Sequence, residues 1–124
     1  MKVLLVNGSG HVEGCTYTAL EEVAAALEKN GIETEIVQLG TQPITGCIGS
    51  GKCFRNDIVN EFIEKAKTAD GFVFGSPVHY ASASGMITSF LDRVFYGRGA
   101  IFQGKPGACV VSCRRGGASA AFDQ

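Results

Sequence analysis

Lys2-Val3-Leu4-Leu5-Val6-Asn7-Gly8-Ser9-Gly10-His11-Val12-Glu13-Gly14-Cys15-Thr16 decides the fold class. The run from Val3 to Val6 is apolar without alternation, which suits a strand buried on both faces. Asn7-Gly8 ends it, and a glycine-rich loop follows. Beyond the loop, Leu20, Val23, Ala24 and Leu27 repeat at i, i+3, i+4, i+7, with Glu21, Glu22 and Glu28 off that stripe. A buried strand that turns into an amphipathic helix through glycines is the opening unit of a parallel α/β sheet.

The same alternation continues outward. Asn30-Gly31 stops the first helix, because both residue types tolerate the left-handed conformation. Ile32 to Val37 alternates and predicts a strand exposed on one side, at a sheet edge. After a glycine-rich connection from Gly40 to about Cys53, Val59, Phe62, Ile63 and Ala66 predict a second helix. Phe72-Val73-Phe74 predicts a third strand, cut off by Gly75-Ser76-Pro77. Ile87, Phe90, Leu91 and Val94 then predict a third helix with Asp92 and Arg93 turned outward. Ala108-Cys109-Val110-Val111-Ser112 predicts a fourth, buried-type strand. The expected fold is therefore a doubly wound parallel sheet, β-α-β-α-β-α-β, in one domain over residues 1–124, with right-handed crossovers.

Composition narrows the function. A charge of −1 and 45% apolar residues give no electrostatic case for nucleic acid or an anionic membrane. No apolar run reaches the ~18 residues of a spanning helix, and the N-terminal run is too short for a secretory signal, so a cytoplasmic protein is expected. Five cysteines, an odd number, do not suggest a secreted disulfide scaffold.

In an open parallel sheet, ligands sit beyond the carboxyl ends of the strands. Three loops there are unusual. Gly8 to Thr16 brings glycines, the Ser9 and Thr16 hydroxyls, and a helix start whose free N–H groups favour a phosphate. Its Gly8-Ser9-Gly10 is followed by Glu13, with Gly14 one position late, so it is not the dinucleotide fingerprint. A single phosphomonoester suits it better. Gly75 to Gly85 leaves room for a flat group beside Tyr80, with backbone groups for a heterocycle's edge. Ser112 to Ser119 adds backbone donors and the guanidinium groups of Arg114 and Arg115. Gly46 to Lys52 fits G-x4-G-K, but Cys53 stands where a P-loop needs Ser or Thr for Mg²⁺.

With these loops the chain resembles the NADPH-dependent FMN reductase branch of the flavodoxin-like superfamily. Val6 to Ser9 with Gly14-Cys15-Thr16, Gly75 to Tyr80 with Phe90-Leu91-Asp92-Arg93, and the glycine-rich turn after strand four carry the likeness. The resemblance implies FMN, with its phosphate on Ser9, His11, Gly14, Cys15 and Thr16. It implies the isoalloxazine ring against Pro77, Val78, His79 and Tyr80, with Cys113, Arg114, Gly116 and Gly117 nearby. It further implies NADPH or NADH as electron donor, a small-molecule acceptor such as a quinone or flavin, and a homodimer or tetramer. The flavin carries the chemistry, so no catalytic side chain is expected. The competing reading is a flavodoxin-type electron carrier, although flavodoxins are usually strongly acidic and this chain is nearly neutral.

Two departures follow from the resemblance. Cys47-Ile48-Gly49-Ser50-Gly51-Lys52-Cys53 is similar to the cysteine cluster of iron–sulfur flavoproteins, but Ser50 takes a ligand position and two thiolates cannot hold a four-cysteine cluster. A Cys47–Cys53 redox pair and two ordinary thiols are the remaining readings. A flavodoxin-like sheet also has the order 2-1-3-4-5. Four strands are counted here, so the expected sheet is truncated after strand four, order 2-1-3-4, with that strand left as an apolar edge or covered by a partner.

Overall fold

In the computed structural model, residues 1–40, 43–47, 49, 57–96 and 99–123 are described. In chain order these contain β1 (Lys2–Asn7), α1 (Cys15–Lys29), β2 (Glu33–Gln38), α2 (Ile58–Ala66), β3 (Gly71–His79), β4 (Ser82–Ala83), α3 (Gly85–Leu91), β5 (Gly107–Ser112) and α4 (Ala118–Phe122). α3 runs on into a π-helical turn, Asp92–Tyr96, and a short 3-10 helix spans Gly99–Phe102. Among the described residues no helix is long and apolar enough to cross a membrane.

β2, β1, β3 and β5 lie parallel in that order, so the doubly wound sheet holds and β2 is an edge as its alternation requires. The pleat divides β1 between two cores. Val3 and Leu5 join Leu20, Ala24 and Val73 under α1, while Leu4 and Val6 join Phe62, Phe72, Phe90 and Phe102 on the other face. Phe62 meets Phe90 edge-on with ring centroids 4.8 Å apart. Both rings are almost fully enclosed, the kind of site where truncation to alanine costs about 3–5 kcal/mol.

The structure corrects four expectations. Among the described residues there are five strands rather than four. The extra one, β4, is two residues long and antiparallel to β3, pairing Val78 with Ala83 and His79 with Ser82. β3 does not stop at Gly75-Ser76-Pro77 but runs on to His79. Gly75 marks close packing rather than a break: a Cβ there would lie 2.9 Å from Thr16 Cγ2 and 3.0 Å from Leu20 Cδ1 of α1. Pro77 is tolerated near the end of the strand, opposite Ser112 of β5.

The third correction is to the buried-type reading of β5, whose residues are exposed or half-buried, as the expected apolar edge leaves them. It pairs with β3 on one side and has no strand beyond it among the described residues. The fourth is Arg93, which is 3% exposed instead of turned outward. Its guanidinium pairs with Asp57, and its Nη1 also donates to the Thr45 carbonyl at 3.4 Å. Burial of a charge is tolerable when it is paired and hydrogen-bonded.

Candidate functional site

Parallel pairing brings the strand ends together. Asn7 lies opposite both Gln38 and Gly75, and Pro77 lies opposite Ser112. The loops after β1, β3–β4 and β5 therefore meet at one end of the sheet, where α1 begins.

The first loop is braced from within. Asn7 is fully buried; its Oδ1 accepts from the Ser9 N–H at 3.0 Å, and its Nδ2 donates to Gln38 Oε1 at 2.7 Å. Ser9 is also buried, and its Oγ accepts from the His11 N–H at 3.1 Å. Gly40 closes the other side: a Cβ there would stand 2.3 Å from the Ser9 carbonyl oxygen. Past this brace the loop opens outward. Among the described residues, its chain neighbours aside, Gly10 has no atom within 4 Å of where a Cβ would be, and His11 and Cys15 are exposed.

α1 starts on Gly14 with no side-chain cap and no acidic residue in its first turn. By contrast, α2 is capped by Asp57, whose side chain accepts from the Val59 N–H, and α3 by Ser84, which accepts from the Ile87 N–H. The N–H groups of the first turn of α1 have no intrahelical acceptors. With the positive end of the helix dipole they form a donor set suited to an anion. The Thr16 hydroxyl is engaged within the protein. The residue is 2% exposed, and its Oγ1 lies 3.0 Å from Ser112 Oγ, joining α1 to the end of β5. On the following position, a hydrogen bond with Glu21 pushes the Tyr17 phenol above its ordinary 10.0, so it stays protonated at neutral pH.

The second wall is a hairpin. Pro77 and Val78 are half-buried in β3, His79 is exposed at its end, and Tyr80-Ala81 form the turn into β4. Both turn residues have positive φ, 47° and 61°, although neither is glycine. Such conformations cost about 1–3 kcal/mol each. They hold the Tyr80 ring fully exposed. The third loop packs on this turn through Gly117, whose φ is 95° and whose missing Cβ would fall 2.8 Å from Val78 Cγ1 and 2.9 Å from Ala81 Cα. Cys113, Arg114 and Gly116 are exposed beside it.

The structure thus brings together Ser9 to Thr16, Pro77 to Tyr80 and Cys113 to Gly117. Asn7, Gly40, Ser76 and Ser84, none of them a candidate site residue from the sequence, hold them. Ser84, three residues before Ile87 at the head of a helical stripe, has the sequence signature of an N-cap. Asn7 and Gly40 carry no local signal, since their partners lie in other loops. Of the cysteine segment, Cys47 is exposed; Ser50, Gly51, Lys52 and Cys53 lie outside the described residues, so the Cys47–Cys53 pair and the G-x4-G-K stretch do too. Among the described residues, no three His, Cys, Asp or Glu side chains stand together as a metal site.

A family model described as NADPH-dependent FMN reductase matches residues 1–124. An iron–sulfur flavoprotein of Methanocaldococcus jannaschii is 37% identical over 99 residues, covering 75% of this chain and 51% of that protein. An FMN-dependent NADPH-azoreductase of Staphylococcus saprophyticus is 30% identical over 99 residues, covering 76% of this chain and 52% of that protein. The chain spans about half the length of these relatives. Among solved structures, a flavodoxin from the Archaea superposes with a TM-score of 0.66 over 93% of this chain and 64% of that one, at 18% identity. That likeness is one of fold.

Proposed function

The chain belongs to the NADPH-dependent FMN reductase family, and from that premise we propose that it binds FMN across the three loops and passes electrons from NADPH or NADH through it to a small acceptor. The acceptor class is a quinone, a free flavin or a similar molecule. The same reading has it act in the cytoplasm as a homodimer or tetramer.

The observation that carries the proposal is the start of α1, which lacks a cap and an acidic residue where α2 and α3 have caps of their own. The donor set fits a phosphomonoester: backbone N–H groups of Gly14 to Thr16, the Ser9 hydroxyl, and His11 and Cys15 on the open side. The ring would lie along Pro77, Val78, His79 and Tyr80. Cys113, Arg114, Gly116 and Gly117 would close the third side, with Arg114 adding positive charge favourable to an anionic ligand. When bound, FMN supplies the hydride-accepting and electron-donating chemistry. The chain's own part is to anchor the phosphate, orient the ring and leave one ring face open to donor and acceptor. The names of the relatives, iron–sulfur flavoprotein and FMN-dependent NADPH-azoreductase, support the reading.

An absorption spectrum of the purified chain with FMN, then with NADPH under anaerobic conditions, tests it. Bound-flavin peaks that bleach with NADPH alone are the expected result. Peaks that persist would favour an electron carrier instead, and no perturbation of the FMN spectrum would sink the proposal.

A further inference from the structure

Ser84 sits at the crossing of three segments. Its side chain is buried, and its Oγ donates to the Gly8 carbonyl at 2.8 Å. The same oxygen accepts from the Ile87 N–H at 3.2 Å, which caps α3. Its own N–H donates to Ser76 Oγ at 3.0 Å, and Ser76 Oγ donates on to the Pro77 carbonyl at 2.8 Å. The Gly8 N–H completes the circuit through the Gly75 carbonyl at 2.8 Å. One hydroxyl therefore ties the loop after β1, seventy-six residues upstream, to the end of β3 and the start of α3.

The approach at this point is tight. A Cβ on Gly8 would lie 2.8 Å from Ile87 Cβ and 2.9 Å from the Gly75 carbonyl oxygen. Gly8 immediately precedes the proposed phosphate loop, and Pro77 begins the proposed ring wall. The circuit consequently fixes the spacing between the two ends of the ligand.

We infer that Ser84 is a positioning residue that sets this spacing, and so makes the site select a phosphorylated flavin over an unphosphorylated one. The inference rests on the FMN reading above. A ligand held at both ends gains from a pre-set span, whereas one held only by its ring does not depend on it. Losing the Ser84 hydroxyl leaves the buried Gly8 carbonyl without this donor and frees the loop to shift.

The test compares the affinities of FMN and riboflavin for the full chain. Ser84→Ala should weaken FMN about tenfold and riboflavin less than about threefold. Ser84→Gly should do the same, because glycine at an N-cap costs a helix only a few tenths of a kcal/mol yet cannot donate to Gly8. It carries the comparison should Ser84→Ala not fold. Ser84→Thr, which retains the hydroxyl, should restore the wild-type ratio. A general loss of stability would weaken both flavins alike, and that result, or an unchanged FMN-to-riboflavin ratio in the glycine variant, overturns the inference. A wild-type chain that binds neither flavin overturns the FMN reading itself, and this inference with it.

Discussion

Asp57 serves Arg93 and α2 at once: Oδ2 pairs with the guanidinium, and Oδ1 accepts from the Val59 N–H at 3.1 Å. Arg93 is 2% exposed at its side chain, Asp57 16%. The two partners are therefore unequal. Asp57→Asn keeps a capping oxygen but removes the carboxylate charge that faces the enclosed guanidinium, and breaking a buried pair in this way costs about 3–5 kcal/mol. Arg93→Met removes the more deeply buried charge and leaves a carboxylate that still caps α2 and reaches water. Its cost should be at least about 1 kcal/mol smaller. Urea denaturation midpoints of the two variants check the order; the reverse order would mean that Asp57 acts mainly as a cap.

Thr16 and Ser112 offer a second asymmetry. From its sequence, the Thr16 hydroxyl is expected on the phosphate, so that Thr16→Val would weaken FMN by about 1 kcal/mol or more. The structure turns that hydroxyl toward Ser112 Oγ. The expected result is now a stability loss of about 0.5–1.5 kcal/mol for Thr16→Val, no larger in combination with Ser112→Ala than that pair's shared bond allows. FMN affinity should fall less than about threefold, since the Thr16 N–H is untouched by the change. A double-mutant cycle measuring stability and FMN affinity together checks both statements.

Glu35 on β2 joins Lys65 of α2 and Lys2 of β1. The hydrogen bond from Lys65, and after it that from Lys2, outweighs burial and holds its carboxyl below the ordinary 4.5. A carboxyl depressed in the folded state adds stability above its unfolded pKa and loses it as pH falls through the folded one. Glu35→Gln should thus lower stability near pH 7 by no more than about 1 kcal/mol, as partly exposed pairs do. The difference from wild type should shrink as the pH drops below 4.5. Denaturation curves from pH 7 downward measure it, and a gap that stays constant would remove the ion pairs as its cause.

What was legible in the sequence followed from period and topology. The unbroken run Val3–Val6 and the stripe through Leu20 and Leu27 fix a parallel sheet, and that topology points to the three loops. Illegible features depend on partners distant in sequence. Gly75 and Pro77 carry the composition of a turn, yet Gly75 answers to Thr16 and Leu20 on α1. Tyr80-Ala81 has none of the glycine or asparagine that marks a tight hairpin, so β4 left no trace. Arg93 has its counter-ion thirty-six residues upstream, outside any helical spacing rule. Ser84 was visible as a small residue, but its bond to Gly8 requires the fold.

Gly40 and Gly10 separate the shape of the proposed phosphate loop from access to it. A Cβ on Gly40 would meet the Ser9 carbonyl oxygen at 2.3 Å and Gly10 Cα at 2.8 Å, both backbone atoms that cannot swing aside. Gly40→Ala must therefore displace the loop, with a stability cost of about 1–3 kcal/mol and a loss of FMN affinity. Among the described residues, its chain neighbours aside, a Cβ on Gly10 would meet no atom within 4 Å. Gly10→Ala should leave stability within about 0.5 kcal/mol of wild type. If the open side of Gly10 is where the phosphate approaches the backbone, the same methyl should still weaken FMN by about tenfold, because the ligand meets it. Thermal unfolding without flavin and FMN titration of both variants decide the matter. An alanine at position 10 that leaves both stability and affinity unchanged would move the phosphate away from this loop.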